Sequence, residues 1–146
     1  MVHVMEHRVC WHETDKAGIV HHANFFFWFE QAEIELFRQS GKSRMQLAKE
    51  SATAHPRISV RCDFFSPAQE DDVLEVRTEV LNVSEKTYHL RHEVHRPADG
   101  AHLATGEVVI CCVKEKEDGT FRSHPLPEEM AAALKKYRVP REEGPS

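Results

Sequence analysis

Five consecutive aromatic residues, Phe25-Phe26-Phe27-Trp28-Phe29, open a segment that continues through Glu30-Gln31-Ala32-Glu33 to Leu36 and Phe37. A surface helix needs an apolar stripe with polar residues opposite, so a run that is apolar on nearly every side predicts a helix start sunk in protein. The helix is predicted over about Asn24 to Gln39, with Asn24 as its N-cap and Gly41 as its stop. Just ahead of it, Thr14-Asp15-Lys16-Ala17-Gly18 sets a lone carboxylate in a glycine turn. Backbone N–H groups at a helix start lack intrahelical partners and carry partial positive charge, which suits a developing oxyanion. A carboxylate beside such a start is a catalytic arrangement.

The rest of the chain reads as strands. Residues His3 to Trp11 predict one, with Val4, Val9 and Trp11 inward. Arg57 to Phe65, Val73 to Ser84, Thr87 to Arg96 and His102 to Lys116 alternate in part and are rich in Val, Ile, Phe or Tyr, which predicts an antiparallel meander of four. Pro97-Ala98-Asp99-Gly100 and Asp118-Gly119 supply turns, and Ser84-Glu85-Lys86 a short hairpin connection. Met45 and Leu47 mark a short helix closed by Pro56. A terminal helix runs from Glu128 to Tyr137, with acids early and Lys135 and Lys136 late. A length of 146 residues suits one domain, read as residues 1–139, followed by a disordered tail at 140–146.

Composition excludes several classes. The formal charge is −5 with Lys and Arg scattered, so no basic face for nucleic acid is expected. No window reaches the roughly 18 apolar residues of a membrane span. The first residues lack a signal-peptide core, which predicts a cytoplasmic protein. Cys10, Cys62, Cys111 and Cys112 show no C-x-x-C spacing and read as free thiols packed as small hydrophobes. His89, His92 and His95 fall on a strand pattern that splits them between faces, so no metal site is expected.

Asp15, Ala17-Gly18-Ile19-Val20, His22, Asn24, the aromatic at Phe25, Glu30 and Ala32 together resemble the signature of the 4-hydroxybenzoyl-CoA thioesterase family, including its YbgC-like branch. Phe64-Phe65-Ser66-Pro67-Ala68, the acidic turn Asp71-Asp72 and Pro125-Leu126-Pro127 follow in the order that family uses. The resemblance implies an α+β hotdog fold, an antiparallel sheet of about five strands wrapped around one long central helix. It implies a homodimer or homotetramer with the active site at a subunit interface.

The same resemblance makes Asp15 the catalytic carboxylate, as nucleophile or as general base activating water. His22 joins it as a catalytic candidate that orients substrate, helps deliver water or packs. Gly18, Ala23 and Asn24 are the substrate-binding candidates: Gly18 through close backbone approach, Ala23 through an amide at the helix start, Asn24 through its side chain. His21 reads as a bystander. Glu30 and Glu33 are kept as alternative carboxylates, since another branch of the superfamily takes its acid from the long helix, and Glu33 stands where YbgC-like members usually carry Arg. Of the five aromatics, at most two can face one cavity, because a helix spreads them around its axis. Lys86, Arg91 and Lys114 are available for coenzyme A phosphates.

The activity implied is hydrolysis of an acyl-CoA thioester, or of an acyl-carrier-protein thioester, to the free acid, with no metal or other cofactor beyond the coenzyme A of the substrate. A non-catalytic acyl-CoA-binding or sensing module is the alternative. A hotdog dehydratase or hydratase ranks third, because the His22 region lacks the His-Phe-Pro pattern of that group.

Overall fold

The computed structural model describes residues 1–140, so all but the first residue of the tail predicted at 140–146 lies outside the described residues. Strand β1 (His3–Arg8) leads through a 3-10 turn at Trp11–Glu13 to helix α1 (Ala23–Gln39) and the short helix α2 (Arg44–Ser51). Strands β2 (Arg57–Phe64), β3 (Val73–Val83), β4 (Thr87–Arg96) and β5 (Ala101–Cys111) follow, then a small hairpin of β6 (Val113–Glu115) and β7 (Phe121–Ser123), and helix α3 (Glu128–Lys135). The main sheet is antiparallel in the order β1-β3-β4-β5-β2.

That order corrects the predicted four-strand meander. Only β3, β4 and β5 pair in succession, while β2 crosses to the far edge and pairs with β5. Local alternation specifies strands but not partners, and the eight residues between β2 and β3 leave room for the crossover. The long strand predicted at His102 to Lys116 divides at the buried Cys112 into β5 and β6. In β1 the inward residues are His3 and Met5 rather than Val4, because His3 faces Thr78 and Met5 faces Val76 in the register with β3. Trp11, also predicted inward, lies on the 3-10 turn and is 80% exposed.

Helix α1 buries Phe25, Trp28, Phe29, Ala32, Glu33, Leu36 and Phe37, the i, i+3, i+4 recurrence of one helical face. Its first half meets Val9, Leu74, Val76 and Val94; its second half meets Tyr88, Leu90, Ile110, Met130 and Leu134. Close approach to the sheet is made possible at Gly106 of β5, where an added Cβ would stand 2.3 Å from Phe29 Cε2. The Phe29 ring also stacks on His92 of β4 at 4.9 Å and 6°. The C-terminal end closes the structure, with Val80 N donating to Tyr137 O and Val139 N donating to Val80 O.

His92 is fully enclosed, and its Nδ1 hydrogen-bonds with Thr78 Oγ1 at 2.8 Å. Burial, reinforced by the Arg57 charge, pushes its pKa down from 6.5 to about 3. The unfolded chain therefore binds a proton that the folded chain refuses between those two values. Stability is fully present above about pH 6.5 and falls on acidification, by about 1.4 kcal/mol per pH unit for this one group. Denaturant midpoints measured from pH 7 to pH 4 should show the decline, and His92→Asn should be less stable at pH 7 yet lose less stability on acidification. Parallel profiles for the two proteins would contradict this account.

Candidate active site

The segment from Thr14 to Val20 is a tight loop closed on itself. Thr14 and Val20 form an antiparallel bridge, Asp15 N donates to Ile19 O at 2.9 Å, and Gly18 N donates to Asp15 O at 3.0 Å. Gly18 sits at φ +81°, a conformation that costs glycine little and other residues more. Asp15 Oδ1 accepts from Ala17 N at 2.9 Å, leaving Oδ2 without a protein partner among the described residues. The carboxylate is exposed at the edge of a cavity of about 430 Å³ lined by Asp15, Ile19, Val20, His22, Phe25 and the segment Phe64–Ala68.

What holds this loop to the start of α1 is Glu13, a residue the sequence reading does not single out. It is buried, and its carboxylate accepts from Cys10 N at 2.8 Å, His7 Nε2 at 2.8 Å and Trp28 Nε1 at 2.5 Å. Its backbone carbonyl accepts from His21 N at 2.9 Å and from the Asn24 side chain at 2.8 Å. Burial works against its charge, but the hydrogen bonds from Cys10, His7 and Trp28 outweigh it and leave the pKa below the ordinary value. The only sequence signals are an acid following Trp11-His12 and an indole later in the helix, and neither identifies its partner.

The helix start differs from the predicted one. Asn24 is not the N-cap: it is the second residue of α1, and its side chain reaches back to Glu13 instead of covering the helix amides. His22 occupies the cap position without a side-chain cap bond. The Ala23 amide is taken by His21 Nδ1 at 3.2 Å, Asn24 N donates to His21 O, and Phe25 N donates to His22 O. Among the described residues, the His22 amide alone of this group has no protein acceptor. His21 thus has a local structural bond, and its ring stacks on His22 at 4.3 Å.

The structure therefore brings Asp15, His22 and Phe25 to one cavity, with Gly18 shaping the loop beside it. Ala23 and Asn24 do not line that cavity. Phe26 and Phe29 face a second cavity of about 180 Å³, together with Glu30, Glu33, Arg57, Val60 and His92. Glu33, the fully buried acid of α1, is ion-paired with Arg57 and accepts from the Tyr88 hydroxyl. Burial pushes the Tyr88 pKa up to about 12, so its hydroxyl remains a donor to Glu33. Of the cations predicted for coenzyme A, Arg91 is paired with Glu79 at 3.3 Å.

The family model described as the thioesterase-like superfamily matches residues 9–134, which include every residue of this loop and helix start. The chain belongs to that superfamily. It is 27% identical over 128 residues to the acyl-CoA thioester hydrolase YbgC of Escherichia coli O6:H1, covering 88% of this chain and 92% of that protein. Its fold matches a 1,4-dihydroxy-2-naphthoyl-CoA thioesterase from Synechocystis with a TM-score of 0.85 at 22% identity, covering 96% of this chain and 100% of that one. It also matches the 4-hydroxybenzoyl-CoA thioesterase of Pseudomonas sp. strain CBS-3 with a TM-score of 0.80 at 23% identity, covering 90% and 98%. The predicted α+β hotdog is the fold observed, with a five-stranded antiparallel sheet.

Glu13→Ala leaves the buried Trp28 indole without its acceptor, a loss of about 1–3 kcal/mol, and also removes the acceptor of the Cys10 amide. We expect a lower denaturant midpoint and faster proteolysis within residues 11–22, with β2 to β5 still protected in hydrogen exchange. Unchanged protection of the loop in that variant would show that Glu13 does not anchor it.

Proposed function

We propose that this protein hydrolyses an acyl-CoA thioester to the free acid and coenzyme A, with Asp15 as the reacting carboxylate. The observation that carries the reading is the placement of one unengaged carboxylate oxygen on the same cavity as the start of a helix whose His22 amide is free. A thioester carbonyl seated between them meets an attacking or base oxygen on one side and an N–H donor on the other. The donor acts on the charge that develops on the carbonyl oxygen as the tetrahedral centre forms. The superfamily assignment and the acyl-CoA hydrolase named among its relatives point to the same chemistry.

Both routes open to Asp15 use this geometry. As nucleophile it expels the coenzyme A thiolate and forms a mixed anhydride that water then opens; as base it takes a proton from the water that attacks the carbonyl. The His22 ring lines the cavity beside it and orients the substrate or the incoming water. Phe25, Phe64 and Phe65 supply the apolar walls for the group on the acyl side. Ala23, predicted to bind substrate through its amide, is given no such role, because that amide is held by His21.

The binding-module alternative finds no feature that favours it, since a pure binder has no use for a carboxylate held with one oxygen free. The site is completed by a second copy of the chain. Strand β2 is an edge, with Ile58, Val60 and Phe64 substantially exposed, and Phe65 beyond it is 61% exposed. An unpaired apolar edge next to a cavity is covered by pairing with its own copy, giving a dimer or a pair of dimers.

Asp15→Asn keeps the size and the Ala17 hydrogen bond while removing nucleophilicity and basicity. Turnover on a panel of acyl-CoAs, followed by thiol release, should fall at least about a hundredfold with the denaturant midpoint unchanged. Near-normal turnover in the folded variant would transfer the role to Glu30, since Glu33 is held by Arg57 and Tyr88. Light scattering at micromolar concentration should give two or four times the chain mass, and an active monomer would refute the shared site.

A further inference from the structure

On the outer face of the sheet, away from α1, β4 and β5 bring together three groups that the sequence does not associate. Glu93 and His95 lie two apart on β4, and His102 lies directly opposite His95 in the register with β5. They reach one face because the β4–β5 ladder shifts between Val94 and His95, so that the next pair after Val94–Ala104 is His95–His102. Leu103 is the extra residue. It and Ala104 are both buried, while His102 turns outward beside His95. Without the bulge, the alternation of β5 would carry the His102 side chain out of step with its neighbour.

The donor atoms face one another. His95 Nε2 is 3.9 Å from Glu93 Oε2, and His102 Nε2 is 3.8 Å from Glu93 Oε1. One donor atom from each of the three residues lies within 4.8 Å of the other two. The two imidazoles stack at 4.5 Å and 5°. His95 Nε2 is enclosed by protein and has no hydrogen-bond partner among the described residues, which is costly for a buried polar atom. On the other side of β4, Arg77 is engaged by Glu75 at 3.2 Å and so leaves the Glu93 carboxylate available.

We propose that Glu93, His95 and His102 form a binding site for a divalent first-row transition cation of the zinc class. Two imidazoles and one carboxylate are a donor set suited to such ions, with the remaining coordination positions open to water. Bonds of about 2.0–2.2 Å place neighbouring donor atoms about 3–3.5 Å apart, so the three groups close by roughly an ångström. One imidazole must also leave the parallel stack, because each nitrogen lone pair lies in its own ring plane. His102 is the ring that turns, exchanging the contacts of its Nε2 with Thr105 Oγ1 and Ala104 O for the cation.

The bound cation cross-links β4 to β5, and the ring that turns to meet it, His102, lies 5.1 Å from the Phe65 ring. Phe65 belongs to the wall of the Asp15 cavity, so the turn of His102 changes a contact of that wall without touching the reacting groups.

Tag-free, chelator-treated protein titrated with cobalt(II) alone, and separately with zinc(II) alone, tests the site without an activity assay. One equivalent per chain should bind, with a visible cobalt spectrum lacking thiolate charge transfer, and zinc should raise Tm on the order of 5 °C at a hundredfold excess over Kd. His95→Asn and His102→Gln should each weaken binding at least about a hundredfold, while His89→Asn, on the same sheet face, leaves it unchanged. In wild-type protein, zinc should shift the ring signals of His95 and His102 before those of any other histidine, a readout independent of how the variants fold. The proposal fails if no ion binds at millimolar concentration, if binding survives in folded His95→Asn/His102→Gln protein, or if other histidines report it first.

Discussion

The aromatic face of α1 is the contact on which both halves of the core close. Phe25, Trp28 and Phe29 pack one half, Leu36 and Phe37 the other, so one rigid rod sets the spacing of everything laid against it. The tightest point is Phe29 over Gly106, flanked by the stacked ring of His92. A side chain at residue 106 would lift the helix from the sheet, and the lift would reach the helix start six residues earlier. Core packing and site geometry are therefore the same constraint.

Glu13 converts that packing into a positioned loop. Its carboxylate joins β1, the 3-10 turn and the Trp28 indole, and its carbonyl gathers His21 and Asn24. A buried carboxylate with several donors is costly to disturb, because removing one partner strands the rest. That cost is what holds Asp15 near the helix start, although Asp15 itself is exposed and its carboxylate has only the Ala17 amide among the described residues. Rigidity is supplied by a residue that does not line the cavity, while the carboxylate that does line it has few ties.

The sequence made the aromatic helix, the glycine turn and the strand alternation legible because each is a local pattern. It also singled out Asp15 and His22, which the structure brings to one cavity, since the motif spans only a few residues. The helix start was less legible. Asn24 has the composition of an N-cap, yet a carbonyl eleven residues earlier competed for its side chain and won. Val4 was misplaced for a related reason, since the β1 register with β3 determines which residues turn inward, and Trp11 because the strand ends at Arg8 and the chain enters a 3-10 turn.

What the sequence by itself determined is most of the elements and the glycine turn that carries Asp15, because helix periodicity, turn residues and strand alternation act over a few neighbouring positions. Only the tertiary structure decided that β2 leaves the meander for the far edge, that Glu33 is spent on Arg57 and Tyr88, and that His102 arrives beside His95. Each depends on which backbone pairs with which, and at what register. Those choices are settled by burying α1 against the whole sheet at once, a condition that no short stretch of sequence contains.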